Sequence, residues 1–271
     1  MISKIICKIS FKMNRLFFLL VLACIAISEI SLIAIYPAIN KNGGYADFLK
    51  EMPQDLLTAI GMQGNLNNLN NLNEYLNMNF YNSIYMYILM VFVVVMSARL
   101  SAKLLGDTSL AYFLNSSISR KKFMNSQIFV FNIELFLMTV CSVVSVLIGK
   151  LFLSEGVFEL SSFLKINIEL FALFMLIGSL CFCISVFVNN GSQAVAYSAT
   201  FVVLLYITDV FRKLVKSMKI LDYCTLFTVY DTEKITNNTT YFVVSSVVMI
   251  VSAISIYACS IYYFNKRDLY L

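Results

Sequence analysis

The sequence predicts an all-α, polytopic membrane protein with six transmembrane helices. Of its 271 residues, 60% are apolar and only 13% are charged, whereas soluble domains are about 45–50% apolar and about 25% charged. The mean hydropathy is +0.81, and six separate stretches each hold the roughly 20 apolar residues that a helix needs to cross a bilayer core. Too little polar sequence remains for another globular domain, so we expect residues 1–271 to form a single transmembrane domain.

The first element is predicted to be an interfacial amphipathic helix over residues 1–15. Lysines recur every four residues there, and apolar residues fill the opposite helical face. The two sets are Lys4, Lys8 and Lys12 on one side and Ile2, Ile5, Ile6, Ile9 and Met13 on the other. A basic amphipathic segment of this kind is typical of a helix that lies in the membrane interface.

Six spans follow, and their flanking charges predict an orientation. The spans are expected at about 16–36, 80–98, 127–149, 166–188, 194–211 and 241–264. An even number of spans puts both termini on one side, where segments 1–15, 99–126 and 265–271 hold four, five and two basic residues, or 11 of the 20. Because cytoplasmic loops are enriched in Lys and Arg, both termini are expected to be cytoplasmic.

The opposite side is predicted to carry a long outer loop over residues 37–79. Within it, residues 47–59 have helical spacing and are expected to form a surface helix, and the Asn/Leu run at 65–73 is low in complexity and is assigned no chemistry. A basic cluster on this side runs against the charge bias: Arg212, Lys213, Lys216 and Lys219. Either this cluster contacts an acidic group outside, or span five ends later than residue 211.

The cytoplasmic loop 99–126 is predicted to contain a short surface helix. Asp107 is a good N-cap residue, and an apolar face with an adjacent tyrosine follows it: Leu110, Phe113 and Leu114, with Tyr112 beside them. The next helix is expected to start at Ser119-Arg120. Such an element suits docking into a groove of a soluble partner, and it suits equally well a helix that rests on lipid headgroups.

This loop resembles a segment of the membrane permeases of type-2 ABC exporters. Those permeases carry a pattern like Gly-Thr-Leu-Glu-Tyr-Leu-Leu-Ser-x-Pro-(Val/Ile)-Ser-Arg after their second span. The matching positions here are Leu110, Tyr112, Leu114, Ile118, Ser119 and Arg120. The glycine is displaced, the acidic run is reduced to Asp107, and Ser117 stands in place of the proline.

Other segments resemble the same family in the same order. Residues 264–269 read Phe-Asn-Lys-Arg-Asp-Leu, like the family's end after span six, and residues 226–231 are similar to its Pro-Phe-x-Tyr-x-Asp stretch without the proline. Met52-Pro53 with Gly61 is similar to its first outer loop. The resemblance therefore extends over nearly the whole chain.

The resemblance implies the permease subunit of an ATP-driven exporter in the plasma membrane of a bacterium. Residues 107–115 would be the coupling helix, and the residues expected to contact the ATPase are Asp107, Leu110, Tyr112, Phe113, Leu114 and Arg120. The partners would be two ABC ATPase subunits and a second permease, identical or related. The substrate would be an antimicrobial peptide, an antibiotic or a lipid.

The chemistry of ATP is expected on another polypeptide. The chain has no Gly-x-x-x-x-Gly-Lys-(Ser/Thr) loop to cradle phosphates, so ATP and magnesium are assigned to the partner subunit and no cofactor to this chain. Histidine is absent, which removes zinc hydrolases and Ser–His or Cys–His nucleophile systems. We predict no catalytic residue, no metal site and no nucleic-acid partner; Cys181 and Cys183 are expected to pack in the core.

Four acidic residues fall within or near the predicted spans. Charges in the membrane usually face a bundle interior or a cavity. Glu29 and Glu134 are predicted with equal weight either to line the substrate path or dimer contact, or to be neutral acids hydrogen-bonded to Asn132, Ser142 or a neighbouring helix. Glu169 and Asp209, near span ends, are expected to extend toward headgroups. An ion-coupled secondary transporter and a non-transporting membrane scaffold remain as alternatives to the exporter.

Overall fold

The computed structural model describes most of the chain as a bundle of helices. The described residues are 2–42, 71–102, 119–153, 158–188, 190–215, 219–223 and 225–266, with a few isolated positions between 49 and 57. Within this part of the chain the protein is all-helical and has no strand. The all-helical prediction is therefore confirmed for these residues.

Six of the described helices are long and apolar enough to cross a membrane. We refer to them as spans one to six: Lys4–Asn42, Leu72–Leu100, Arg120–Leu151, Leu160–Phe187, Gly191–Leu214 and Thr239–Lys266. The predicted number of spans is confirmed in this sense. The observed helices extend beyond the predicted spans at nearly every end, because the helical backbone continues where the apolar sequence stops.

Spans two and four form the centre of the bundle. In the most apolar stretch of each, 67% of the residues are buried, against 28%, 22% and 28% in spans one, five and six. A helix that is apolar all round and buried on most of its surface belongs to a core, whereas the exposed apolar faces of the outer spans suit a lipid or protein environment.

Span one differs from the prediction because it has no break near residue 15. A single helix runs from Lys4 to Asn42 and includes Pro37. Its buried positions follow a continuous stripe at intervals of three or four: Ser3, Ile6, Ser10, Asn14, Phe18, Val21, Ile25, Glu29, Ile33 and Tyr36. The predicted interfacial helix 1–15 is thus not a separate element. Of its predicted apolar face only Ile6 packs inward, while Ile5 and Met13 are 69% and 60% exposed.

Span two begins earlier than predicted and contains a π-helical segment. Helix Leu72–Leu76 continues directly into the π-helix Asn77–Tyr85 and then into helix Met86–Leu100. The segment between spans one and two is therefore shorter than the predicted outer loop 37–79, because span one extends to Asn42 and span two begins at Leu72. The wider π turns are supported by side chains, since Asn79 Nδ2 donates to the Tyr75 carbonyl at 2.9 Å and Ser83 Oγ donates to the Asn79 carbonyl at 2.9 Å. π-Helical segments are rare in proteins, but many of those that occur lie at functional sites.

Spans one and three run parallel and pack along their whole length. At one end the Ser3 amide donates to Ser126 Oγ at 2.9 Å. At the other, Gly149 allows Ile33 to approach so closely that a Cβ atom would lie 2.6 Å from Ile33 Cδ1. Small residues at helix contacts permit this close packing of membrane helices.

Contacts between span ends identify one end of the bundle, which we call the N-terminal end. Arg99 at the end of span two stacks over the Phe17 ring at 4.7 Å. Ala98 and Ala102 form a buried cluster with Ala194 at the start of span five. The Phe187 and Tyr263 rings, at the ends of spans four and six, lie 4.2 Å apart. The start of span three joins this end through Ser126.

The segment between spans five and six is built from short helices. Two 3₁₀ turns at Lys219–Tyr223 and Leu226–Val229 precede the helix Thr232–Asn237, which Asp231 caps. Span five continues to Leu214, so Arg212 and Lys213 belong to its last turn. This agrees with the second of the two explanations given for the basic cluster at 212–219.

Candidate functional site

A buried carboxyl group, Glu29 of span one, lies at the centre of a hydrogen-bond network. The side chain is fully buried. The Tyr81 hydroxyl donates to Glu29 Oε1 at 2.9 Å, and Ser142 Oγ donates to the same oxygen at 2.6 Å. Ser145 Oγ donates to Glu29 Oε2. Spans one, two and three therefore meet at this carboxyl group.

The network reaches span four through Asn167. Ser142 Oγ lies 3.3 Å from Asn167 Oδ1 and 2.8 Å from the Tyr81 hydroxyl. Asn167 is held in place because its Nδ2 donates to the Phe163 carbonyl at 3.1 Å. Four of the six spans are thus joined by one set of polar side chains in an otherwise apolar interior.

The local sequence explains how these groups meet. Ser142 and Ser145 are three residues apart, so both face the same neighbour from one side of span three. Tyr81 lies in the π-helix, and its ring packs edge-on against Tyr85 and Phe163 at 5.4 and 5.8 Å. The hydroxyl is therefore oriented by aromatic packing rather than by the hydrogen bond alone.

The arrangement can accommodate a proton without moving any heavy atom. A carboxylate accepts the three hydroxyl protons directly. If Glu29 is protonated, its own hydroxyl can donate a hydrogen bond to Ser142 Oγ. Ser142 can then turn its proton toward the Tyr81 hydroxyl or toward Asn167 Oδ1. No basic side chain forms an ion pair with Glu29 among the described residues.

Glu134 in span three is buried but, in contrast to Glu29, lacks hydrogen bonds. Its exposed fraction is zero, and neither carboxyl oxygen has a hydrogen-bond partner among the described residues. Burying a polar group without a partner costs about 1–3 kcal/mol by mutational measures. Whether Glu29 or Glu134 lines a substrate path stays a prediction.

Glu169 and Asp209 do not extend outward as predicted. Both are buried. Glu169 accepts a hydrogen bond from Ser246 of span six. Asp209 pairs with two cations of its own helix, with Arg212 Nη2 at 2.9 Å and Lys213 Nζ at 2.8 Å. Span five itself supplies the cations that pair with Asp209, and span six supplies a donor to one carboxyl oxygen of Glu169.

A polar cleft of about 520 Å³ opens beside Asp209 at the end opposite to the N-terminal end. Its charged lining is balanced, with three acids and three bases: Asp209, Asp231 and Glu233 against Arg212, Lys213 and Lys234. The hydrogen bond from Lys234 to Asp231, 3.0 Å away, raises the pKa of Lys234 above its ordinary value. Burial raises the pKa of Tyr230, also in the lining, well above its ordinary value.

The predicted ATPase-coupling residues are only partly within the described chain. Asp107, Leu110, Tyr112, Phe113 and Leu114 lie outside the described residues, so the coupling helix 107–115 stays a prediction. Arg120 is the first residue of span three, and Ser119 caps that helix by accepting a hydrogen bond from the Lys122 amide at 3.3 Å. The predicted helix start at Ser119-Arg120 is confirmed.

The N-terminal end, where span two ends and span three begins, is strongly basic. Its charged residues among those described are Lys4, Lys8, Lys12, Arg15, Arg99, Arg120, Lys121, Lys122 and Lys266. None of the described acids lies at this end; they are inside the bundle or toward the opposite end.

Sequence reasoning missed three members of the Glu29 network. Tyr81, Ser145 and Asn167 are not among the residues that the sequence pattern marks as a site, whereas Ser142 is one of the hydrogen-bond partners considered for a buried acid. The signal available was their spacing: two hydroxyls three residues apart in an apolar helix need a polar neighbour. Cys181 is buried and Cys183 half-buried in span four, and the described residues contain no cluster of potential metal ligands.

Comparison with known proteins adds no relative. No protein-family model matches the sequence, and no curated protein or solved structure matches it significantly. The function must therefore be argued from the sequence pattern and the geometry of the bundle.

Proposed function

We propose that this chain is the permease subunit of an ATP-driven exporter related to the type-2 ABC exporters. It would form the translocation path as a dimer, with a second copy or a related chain, while separate ATPase subunits bind and hydrolyse ATP. The observation that carries the proposal is topological. The segment that resembles a coupling helix connects span two, which ends at Leu100, to span three, which begins at Arg120, and both of these helix ends lie at the basic end of the bundle.

The distribution of charge supports a cytoplasmic location for that loop. Nine described basic residues gather at the N-terminal end without a described acid, and positive residues favour the cytoplasmic side of a membrane. An ATPase in the cytoplasm would then face residues 103–118. In this orientation both termini would lie in the cytoplasm of a bacterium.

The packing of the spans suggests how force from an ATPase would reach the membrane. Span two adjoins the loop on one side and packs in the bundle centre, and span three adjoins it on the other. Both also contribute to the Glu29 network through Tyr81 and Ser142. A displacement of the loop would shift these spans together against span one, so we infer that the network is a point where the two access states differ.

Co-purification with paired variants tests the proposal. The tagged chain is solubilised in mild detergent, and the assembly is analysed for a stoichiometric subunit with a phosphate-binding loop and for ATP hydrolysis. Tyr112→Asp with Phe113→Asp should remove the ATPase and leave membrane insertion intact. Tyr223→Asp, at a position 93% exposed beyond the opposite end of span five, is the control and should retain it. A chain that purifies alone from its native membrane contradicts the proposal.

The Glu29 network favours one second candidate, an ion-coupled transporter. A buried carboxyl group with rearrangeable hydroxyl partners is the kind of group that proton-coupled carriers use. The two functions differ in energy source. Transport in sealed vesicles that stops with a protonophore and continues without ATP would favour the second candidate over the exporter.

A further inference from the structure

A groove between spans one and three opens at the N-terminal end of the bundle. It encloses about 480 Å³ and is lined mainly by apolar atoms. Phe11 on span one faces Phe129 and Ile133 on span three, and the three side chains are 36%, 42% and 36% exposed. The volume is within the range of sites that hold small molecules.

Every charged side chain that lines this groove among the described residues is basic. They are Lys8, Lys12 and Arg15, at intervals of four and three residues, so all three lie on one side of span one. At 1.5 Å per residue, they extend over roughly 10 Å of the helix axis. Arg15 directly precedes the apolar stretch that starts at Leu16.

The groove therefore joins a positive rim to an apolar wall at the point where the basic turns of span one give way to its apolar stretch. The continuity of span one produces this arrangement. Because the helix does not break at residue 15, its basic turns stay beside span three instead of lying separately in the interface. A soluble anion would satisfy the rim but leave the apolar wall in contact with water.

We propose that this groove binds one anionic phospholipid of the surrounding leaflet. The phosphate of the headgroup contacts Lys8, Lys12 and Arg15, and an acyl chain lies against Phe11, Phe129 and Ile133. The charge complementarity of the rim selects the anionic headgroup, since Lys and Arg side chains near a membrane surface attract anionic lipids. This inference does not depend on coupling to an ATPase.

The test measures lipid selectivity of the full chain in nanodiscs. Discs of phosphatidylcholine alone are compared with discs that also contain phosphatidylglycerol, and retained lipid is counted by native mass spectrometry. We expect phosphatidylglycerol to be retained and to raise the melting temperature. The triple variant Lys8→Gln, Lys12→Gln, Arg15→Gln should bind it about a hundredfold more weakly. The single variant Arg15→Gln should lose about fivefold.

A matched control separates the groove from the general basic charge of this end. Lys4→Gln, Lys121→Gln, Lys122→Gln removes the same charge from positions that do not line the groove, and it should bind phosphatidylglycerol like the unaltered chain. Phe129→Ser should weaken binding with all three cations present. The proposal is overturned if the control loses as much affinity as the triple variant. It is also overturned if soluble glycerol phosphate gives the same shift, or if phosphatidylglycerol is not retained.

Discussion

The Tyr81 hydroxyl lies 2.9 Å from Glu29 Oε1 and donates a hydrogen bond that joins the π-helical part of span two to span one. Both side chains are fully buried. A carboxyl group in an apolar bundle is costly unless hydrogen bonds satisfy it, and here Ser142 and Ser145 complete the set. These hydrogen bonds make the Glu29 network a contributor to the stability of the bundle as well as a candidate functional site.

Tyr81→Phe should therefore destabilise the chain. The variant keeps the ring packing and removes only the hydroxyl, which leaves a buried carboxyl oxygen with one donor fewer. We expect a loss of about 1–3 kcal/mol in the free energy of unfolding, measured by denaturant titration in detergent micelles. Tyr197→Phe, at a position 58% exposed, serves as the control and should change the free energy little. Equal stability of the two variants would contradict the network.

The same substitution should have opposite effects at Glu29 and Glu134. Glu29→Met removes the carboxyl group to which three hydroxyls donate, so its melting temperature should fall. Glu134→Met replaces a buried carboxyl that has no described hydrogen-bond partner, so its free energy of unfolding should rise by about 1–3 kcal/mol. Both variants are compared in one detergent by a thermal melt. A fall for both would show that Glu134 has a stabilising partner.

Gly178 of span four is predicted to tolerate no larger side chain. A Cβ atom there would lie 2.5 and 2.6 Å from two ring atoms of Phe131 in span three. Gly178→Ala should cost about 1–3 kcal/mol through overpacking. Adding Phe131→Leu removes the clashing ring, so the double variant should lose less than the sum of the two single losses. Strict additivity would place Gly178 away from Phe131.

Cross-linking should detect the contact between the N-terminal segment and span three. Cys7 Sγ lies 3.8 Å from the Ser126 carbonyl oxygen. In a chain whose other six cysteines are replaced by serine, Ser126→Cys should form a disulfide with Cys7 under mild oxidation. Lys121→Cys, whose side chain is exposed, should not. Readout is a mobility shift on a non-reducing gel. Efficient cross-linking only at residue 121 would mean that residues 1–15 lie elsewhere.

The spans could be predicted from sequence because burial in lipid or in a bundle demands the same long apolar runs. Their ends could not, since helices extend into polar sequence: Leu72 begins span two within a stretch of asparagines, and Lys4 begins span one among lysines. The separate N-terminal helix was predicted from a pattern of faces. That pattern is present, but its apolar face points outward except for Ile6, which packs inward in a stripe with Ser3 and Ser10.

The burial of Asp209 and Glu169 depends on side-chain partners that composition does not reveal. Asp209 and Glu169 looked free to extend outward because they lie near span ends. The fold instead brings Arg212 and Lys213 onto Asp209 within one helical turn, and Ser246 from a different span onto Glu169. A pairing within one helix is readable from spacing. A pairing between helices separated by 77 residues needs the tertiary structure.

Photolabelling with azido-ATP tests most directly the proposal that this chain provides the path and another chain the ATP chemistry. The assembly purified in mild detergent is irradiated with the probe, and its subunits are separated and sequenced. We expect label on a separate subunit that carries the phosphate-binding loop, displaced by excess ATP, and none on this chain. Specific label on this chain, or an active transporter without any labelled partner, would contradict the account.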